Sequence, residues 1–257
     1  MTLRNKTATI YVVSIMDETR PGHGLRRAYC GSERGRNMQE IASIRPLLPA
    51  VAEAGELAQR YYRRPEALGV RLKADHTVVT EADGAVETLL RRAISDMFPG
   101  VNILGEEGET DYDPTCSYTF VIDPIDGTAA FATATPAWAI CIGVLNQALQ
   151  PLAGIVSAPG WDSLFVADID PETPATHNES PLAVVTRPDR VHVDRNTTIL
   201  IDSKLPQTHY MHNFPGKCRS FGSTALHVCL VAQNTGYELA HACSAYAWDI
   251  VAAHAIA

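Results

Sequence analysis

Val121-Ile122-Asp123-Pro124-Ile125-Asp126-Gly127-Thr128 carries the densest structural signal in the chain. An apolar run, Phe120 to Ile122, delivers two carboxylates, Asp123 and Asp126, across a proline-fixed turn. The pattern predicts a strand, a tight turn and a helix start. Aspartates at the end of a buried strand need a cation or a dense set of donors, because bare charge is costly to bury. Two hard oxygen ligands aimed at one point suit Mg²⁺. Gly127 lets backbone approach a ligand closely, and a helix beginning there offers free amides to an anion. Metal ligands beside a phosphate cradle imply metal-assisted phosphoryl chemistry. The same letters also make an ordinary surface turn, since Asp, Pro and Gly all favour turns.

Two further stretches separate those readings. Leu104-Gly105-Glu106-Glu107 ends an apolar segment in paired glutamates. Trp248-Asp249-Ile250 places a lone aspartate in an Ala-rich apolar run that continues through Val251, Ala252 and Ala253. A carboxylate in such a run wants a salt-bridge partner or a metal.

G-E-E, then D-P-I-D-G-T, then W-D in this order resembles the inositol monophosphatase family of Mg²⁺-dependent, lithium-sensitive phosphatases. Lys73-Ala74-Asp75 followed by Val79-Thr80-Glu81-Ala82-Asp83 is similar to a fourth family segment. Gly222-Ser223-Thr224-Ala225-Leu226, leading into Cys229-Leu230-Val231-Ala232, is similar to a fifth. The match runs from about Ile41 to the C-terminus. The resemblance implies an α+β fold, a layered αβαβα sandwich of the inositol monophosphatase and fructose-1,6-bisphosphatase type.

The resemblance also assigns roles. Glu106, Asp123 and the carbonyl of Ile125 would hold one Mg²⁺; Asp123, Asp126 and Asp249 would hold a second, in a site of two or three ions. Glu106 and the Thr128 hydroxyl would orient a water, with Asp83 accepting a hydrogen bond from Thr128. Lys73 lies near the family's lysine position, where a solvated lysine is the alternative. Asp126 and the backbone N–H groups of Gly127 and Thr128 would meet the phosphorylated substrate, and Gly222, Ser223 and Thr224 would line its side of the site.

Two departures bear on the substrate. Inositol-type members carry a glutamate seven residues before the W-D aspartate, where this chain has Ala242. Ala129-Ala130-Phe131 stands where they often carry Asn before the Phe. The expected activity is hydrolysis of a small phosphate monoester, with an inositol-phosphate-type substrate favoured. The alternatives are 3′-phosphoadenosine 5′-phosphate, histidinol phosphate, or a non-catalytic relative that binds a phosphorylated ligand or a protein partner.

The chain has 257 residues and is 46% hydrophobic, enough for a sizeable core. Net charge is −8, which argues against a nucleic-acid polymer as partner. Residues 1–40 hold seven Lys/Arg and four Asp/Glu, net +3, so the remainder is net −11. Six cysteines show no C-x-x-C spacing, which favours buried thiols in a reducing, cytoplasmic compartment. No apolar run approaches the ~20 residues that span a membrane. Family members are commonly dimers, so the resemblance suggests a homodimer.

Residues 1–40 read as a flexible extension, 41–180 as an N-terminal α+β half carrying the metal motifs, and 181–257 as a C-terminal α/β half. The apolar run Ala8 to Met16 lacks a small-x-small cleavage pattern and is followed by Asp17-Glu18, unlike a signal peptide. Residues 1–37 are expected to be dispensable. A first helix is expected from Ile44 to Tyr61, a second from Glu81 to Met97, and a strand over 102–104. Strands are expected over 139–145, 152–157 and 163–167, as a meander beneath the helices. Strands over 183–185 and 199–201, a helix over 223–233 and another from about Asp249 complete the pattern. The family normally continues for another strand and helix, so the end is expected to be truncated. His209 and His212 read as loop residues, and His227 and His254 as structural histidines within helices.

Overall fold

The computed structural model describes residues 40–62, 69–72, 78–108, 112–182, 194–202, 213–233, 237, 239–241 and 245–257. The expectations for 1–37, for the strand over 183–185 and for His209 and His212 lie outside these residues, as do Lys73 and Ala242.

The first described element is a 3-10 turn (Arg45–Leu47), which continues as α1 (Leu48–Tyr62). The two-residue strands β1 (Arg71–Leu72) and β2 (Val78–Val79) pair antiparallel. Helix α2 (Glu81–Met97) follows. Its residues Ala82, Val86, Leu90 and Ile94 recur every four positions and are all buried, which is the period of one helix face. Thr80 and Asp83 form a capping box at its start: Asp83 Oδ2 accepts from the Thr80 amide at 2.8 Å and from its hydroxyl at 2.6 Å.

β3 (Asn102–Gly105), β4 (Tyr118–Asp126), the short helix α3 (Thr128–Ala132), β5 (Ala139–Asn146), β6 (Pro151–Ala158), β7 (Ser163–Ala167), β8 (Thr176–His177) and β9 (Ser180–Pro181) come next. The seven strands form one sheet in the order β3-β4-β5-β6-β7-β8-β9. β3 is parallel to β4, and every later neighbour is antiparallel. The meander is longer than expected by β8 and β9, whose two-residue strands carry too little pattern to be read.

The rest is β10 (Thr198–Ile201), β11 (Lys217–Arg219), α4 (Thr224–Ala232), β12 (Leu239–His241) and α5 (Ala247–Ile256). β10 lies between β11 and β12 in a parallel three-stranded sheet. β11 and β12 were not expected, because the sequence there shows no alternating pattern.

The large sheet is buried on both faces. Ile140, Ile142 and Val144 of β5 join one core with Ile122, Ile155 and helices α1 and α2. Ala139 and Cys141 join the opposite core, built with Ala225, Leu226 and Cys229 of α4 and Ala252, Ala253 and Ile256 of α5. Two-sided burial explains why β5 reads as a continuous apolar run. Gly143 and Gly154 are cross-strand partners beneath α5. A Cβ on Gly154 would lie 2.1 Å from the Ala252 carbonyl oxygen, so α5 approaches the sheet closely only because that side chain is missing. This packing brings the N-terminus of α5, and Asp249 with it, to the end of β4.

Candidate active site

β4 ends in a bulge. Asp123 pairs with Cys141, but Asp126 pairs with Ala139, so three residues on β4 answer two on β5. In an unbroken strand residues an odd number apart face opposite sides. The extra residue restores the parity, and both aspartates point to the face shared by Ala139 and Cys141. Ile125 N–H closes the bulge by donating to Asp123 Oδ1 at 3.0 Å. Gly127 then adopts φ +91, a left-handed turn that leads into α3.

Asp249 arrives from α5 on the same face. One oxygen each of Asp123, Asp126 and Asp249 lie within 4.8 Å of one another. Helix starts surround the cluster. Asp126 accepts from the α4 amides of Ala225 at 2.7 Å and Thr224 at 3.3 Å, and from the Ser223 hydroxyl. Asp249 Oδ2 accepts from the Tyr246 amide at the start of α5 at 2.6 Å. Asp83 sits in the first turn of α2. The positive ends of three helices thus face one group of carboxylates, a favourable arrangement for negative charge.

That support is incomplete. Burial, and then the charges of Glu106, Asp126, Asp249 and Asp83, hold the Asp123 carboxyl well above the usual range. Burial raises Asp126 to about 6, against the hydrogen bonds from Ser223, Ala225 and Thr224 that lower it. Burial also raises Asp83, opposed by its bonds from Thr80. Among the described residues no Lys or Arg forms an ion pair with Asp123 or Asp126. Carboxylate oxygens that converge and repel one another fit a hard divalent cation, which would take the place of the missing positive charge.

Thr128 Oγ1 lies 3.3 Å from Asp83 Oδ1 and 3.0 Å from the Ile125 carbonyl, and donates its one proton to either. Glu106 follows the last residue of β3, the parallel neighbour of β4. Gly222, at φ +112, packs against Ala130, with its carbonyl close above Gly127. Ser223 differs from its expected place on the substrate side. Its side chain is 0% exposed, and its hydroxyl both donates to Asp126 and accepts from Leu226 N–H at 3.1 Å. It holds the Asp126 carboxylate and caps α4 rather than lining open space. His227 is buried, as expected of a structural histidine, and its Nε2 accepts from Phe221 N–H at 3.0 Å. Cys141 and Cys229 are buried and Cys116 and Cys218 half-buried, and none of the four is in a disulfide.

A mixed sheet between helix pairs, with carboxylates converging at a strand bulge, defines a layered α+β protein whose acidic cluster could hold a cation. Residues 38–257 match the profile of the inositol monophosphatase family, and the chain belongs to that family. It is 30% identical over 209 residues to inositol monophosphatase 1 of Solanum lycopersicum, covering 77% of this chain and 74% of that one. It is 38% identical over 117 residues to the histidinol-phosphatase of Mycobacterium tuberculosis, covering 44% of each. With several curated relatives the matched stretch spans about half of their own length. The fold is shared with the extragenic suppressor protein SuhB of Bartonella henselae at TM-score 0.68 and 24% identity, covering 82% of this chain and 81% of that one. The α+β fold expected from the resemblance, a mixed sheet layered with helices, is the one observed.

Proposed function

We propose that the chain is a Mg²⁺-dependent phosphoric monoester hydrolase acting on a small phosphorylated metabolite. The observation that carries the reading is the convergence of Asp123, Asp126 and Asp249 within 4.8 Å at the end of β4. Glu106, Asp123 and the Ile125 carbonyl would hold one cation, and Asp123, Asp126 and Asp249 a second. When bound, such cations neutralise charge on a phosphoryl group and lower the pKa of a water.

The chain's own residues do the positioning. Thr128, its proton given to Asp83 or Ile125, keeps lone pairs to accept a hydrogen bond from the attacking water. Glu106 stands at the end of the neighbouring strand to take part in orienting that water. Asp83 is fixed for its task because its other oxygen is held by the Thr80 amide and hydroxyl. The Gly127 and Thr128 amides, at the first turn of α3, suit the phosphate oxygens. Gly222 and Thr224 flank the substrate's remaining part, and Lys73 is assigned to the same site by its motif. Relatives named as inositol monophosphatase and as histidinol-phosphatase support a small metabolite ester, and inositol phosphate is the first candidate.

The test is phosphate release from inositol 1-phosphate, 3′-phosphoadenosine 5′-phosphate, histidinol phosphate and fructose 1,6-bisphosphate, with Mg²⁺, with EDTA, and with Mg²⁺ plus Li⁺. Metal-dependent, lithium-inhibited turnover of one compound is expected, and Asp126→Asn should abolish it. Turnover unchanged by EDTA or by Asp126→Asn would refute the reading. A folded protein that turns over none of the four would favour a ligand-binding relative without catalysis.

A further inference from the structure

Helix α2 presents a second row beside its apolar stripe: Asp83, Glu87 and Arg91, each four residues from the last. Asp83 serves Thr128. Glu87 is only 2% exposed, and a carboxylate so buried is tolerated only if its oxygens are filled. Three donors fill them. Oε2 accepts from the Glu107 amide at 2.7 Å, and Oε1 accepts from the Gly108 amide at 2.8 Å. Oε1 also accepts from Arg91 Nε at 2.6 Å. Arg91 Nη1 in turn donates to the Ile103 carbonyl at 3.2 Å. α2 therefore grips the chain on both sides of Glu106: at Ile103 in β3, and at the two amides that follow.

The glycines show how closely this clamp is built. A Cβ on Gly105 would lie 2.1 Å from Glu87 Oε1 and 2.6 Å from Arg91 Nη2. On Gly108 it would lie 2.6 Å from the same oxygen and 2.8 Å from Arg91 Nε. The glycine before Glu106 is thus required because the Glu87–Arg91 pair fills the space a side chain would take.

The geometry points to Glu87 as a positioning residue for the cation site: it fixes the turn that aims the Glu106 carboxylate, with Arg91 as its brace. The inference rests on Glu106 being a cation ligand. Ligands of a hard cation must be held closely in place, and losing a partner that orients one weakens metal binding about 10- to 100-fold. Glu87→Gln keeps the size of the side chain but removes its charge, and its amide nitrogen cannot accept from either backbone N–H.

The experiment is Mg²⁺ titration by calorimetry on the full chain, with thermal unfolding in EDTA as a separate record of fold stability. Glu106→Gln and Glu87→Gln are each expected to raise the Mg²⁺ dissociation constant about tenfold or more. The double variant should bind no more weakly than Glu106→Gln alone, since both changes act through one ligand. A folded Glu87→Gln protein with wild-type Mg²⁺ affinity, beside a weakened Glu106→Gln, would overturn the inference and leave the metal site standing. Additive losses in the double variant would overturn it as well. Wild-type affinity in Glu106→Gln would overturn the reading of the site itself. Should Glu87→Gln fail to fold, Gly108→Ala pushes the exposed turn off the same carboxylate, and unchanged Mg²⁺ affinity there overturns the inference.

Discussion

Ser223→Ala separates the two tasks of one hydroxyl. The Ser223 side chain caps α4 through Leu226 N–H and donates to Asp126 Oδ2. Losing a serine cap costs about 1 kcal/mol. Losing a hydrogen bond to a charged group costs about 1.5 to 3 kcal/mol. The bond to Asp126 also favours its ionised form, so its loss raises a carboxyl already at about 6. A differential interaction of about 1.4 kcal/mol corresponds to a tenfold change in its ionisation equilibrium. Cations bind the ionised carboxylate, so affinity follows the ionised fraction. At pH 8, well above the titration, that fraction hardly changes, while at pH 5, below it, it falls about tenfold. Mg²⁺ titration by calorimetry, or by fluorescence of Trp248 beside Asp249, should show wild-type affinity at pH 8 and an approximately tenfold loss at pH 5. Thermal unfolding should show a loss of about 2.5 to 4 kcal/mol. Unchanged affinity at both pH values, or a loss equal at both, would refute the argument that this hydroxyl tunes the charge of Asp126.

Gly154→Ala places a methyl group against the Ala252 carbonyl and should lift α5 from the sheet. Overpacking of this kind costs about 1 to 3 kcal/mol, and because α5 carries Asp249, Mg²⁺ affinity should fall with the melting temperature; a variant as stable as wild type would contradict the packing. Burial lowers His227 to about 4, with Asp202 opposing the shift. The unfolded chain therefore takes up a proton that the folded chain refuses, and stability is lost as pH falls below about 6.5 toward 4. Between pH 7 and pH 5 this loss is about 2 kcal/mol, and His227→Gln should remove it from urea-unfolding curves. Asp123 and Asp126 act in the opposite sense without metal. Their raised carboxyls make the EDTA-treated protein gain stability as pH falls through about 6 toward 4, and saturating Mg²⁺ should suppress that gain.

Glu87 shows where sequence reading stops short. Glu87 and Arg91 stand four apart on a helix, the spacing of an ordinary solvent-exposed pair. The available signal was that Glu87 continues the row of Asp83 along the edge of the apolar stripe, so its carboxylate faces the same neighbourhood as a motif residue. Ser223 was recognisable as a motif residue, but not as a partner of Asp126, 97 positions away. The two-residue strands β8 and β9 are too short to carry a period at all.

Local pattern by itself determined the span of α2, the apolar runs of β4 and β5, and the identity of the carboxylates. Each is recorded in residues that are neighbours along the chain, where a period of two or of about four leaves its mark. Strand pairing put Asp123 and Asp126 on one face, through the bulge that restores their parity. Tertiary packing alone brought Asp249 to them, by seating α5 over the paired glycines of β5 and β6. Side chains far apart in sequence meet only when packed elements carry them together, and that meeting leaves no local periodicity to read.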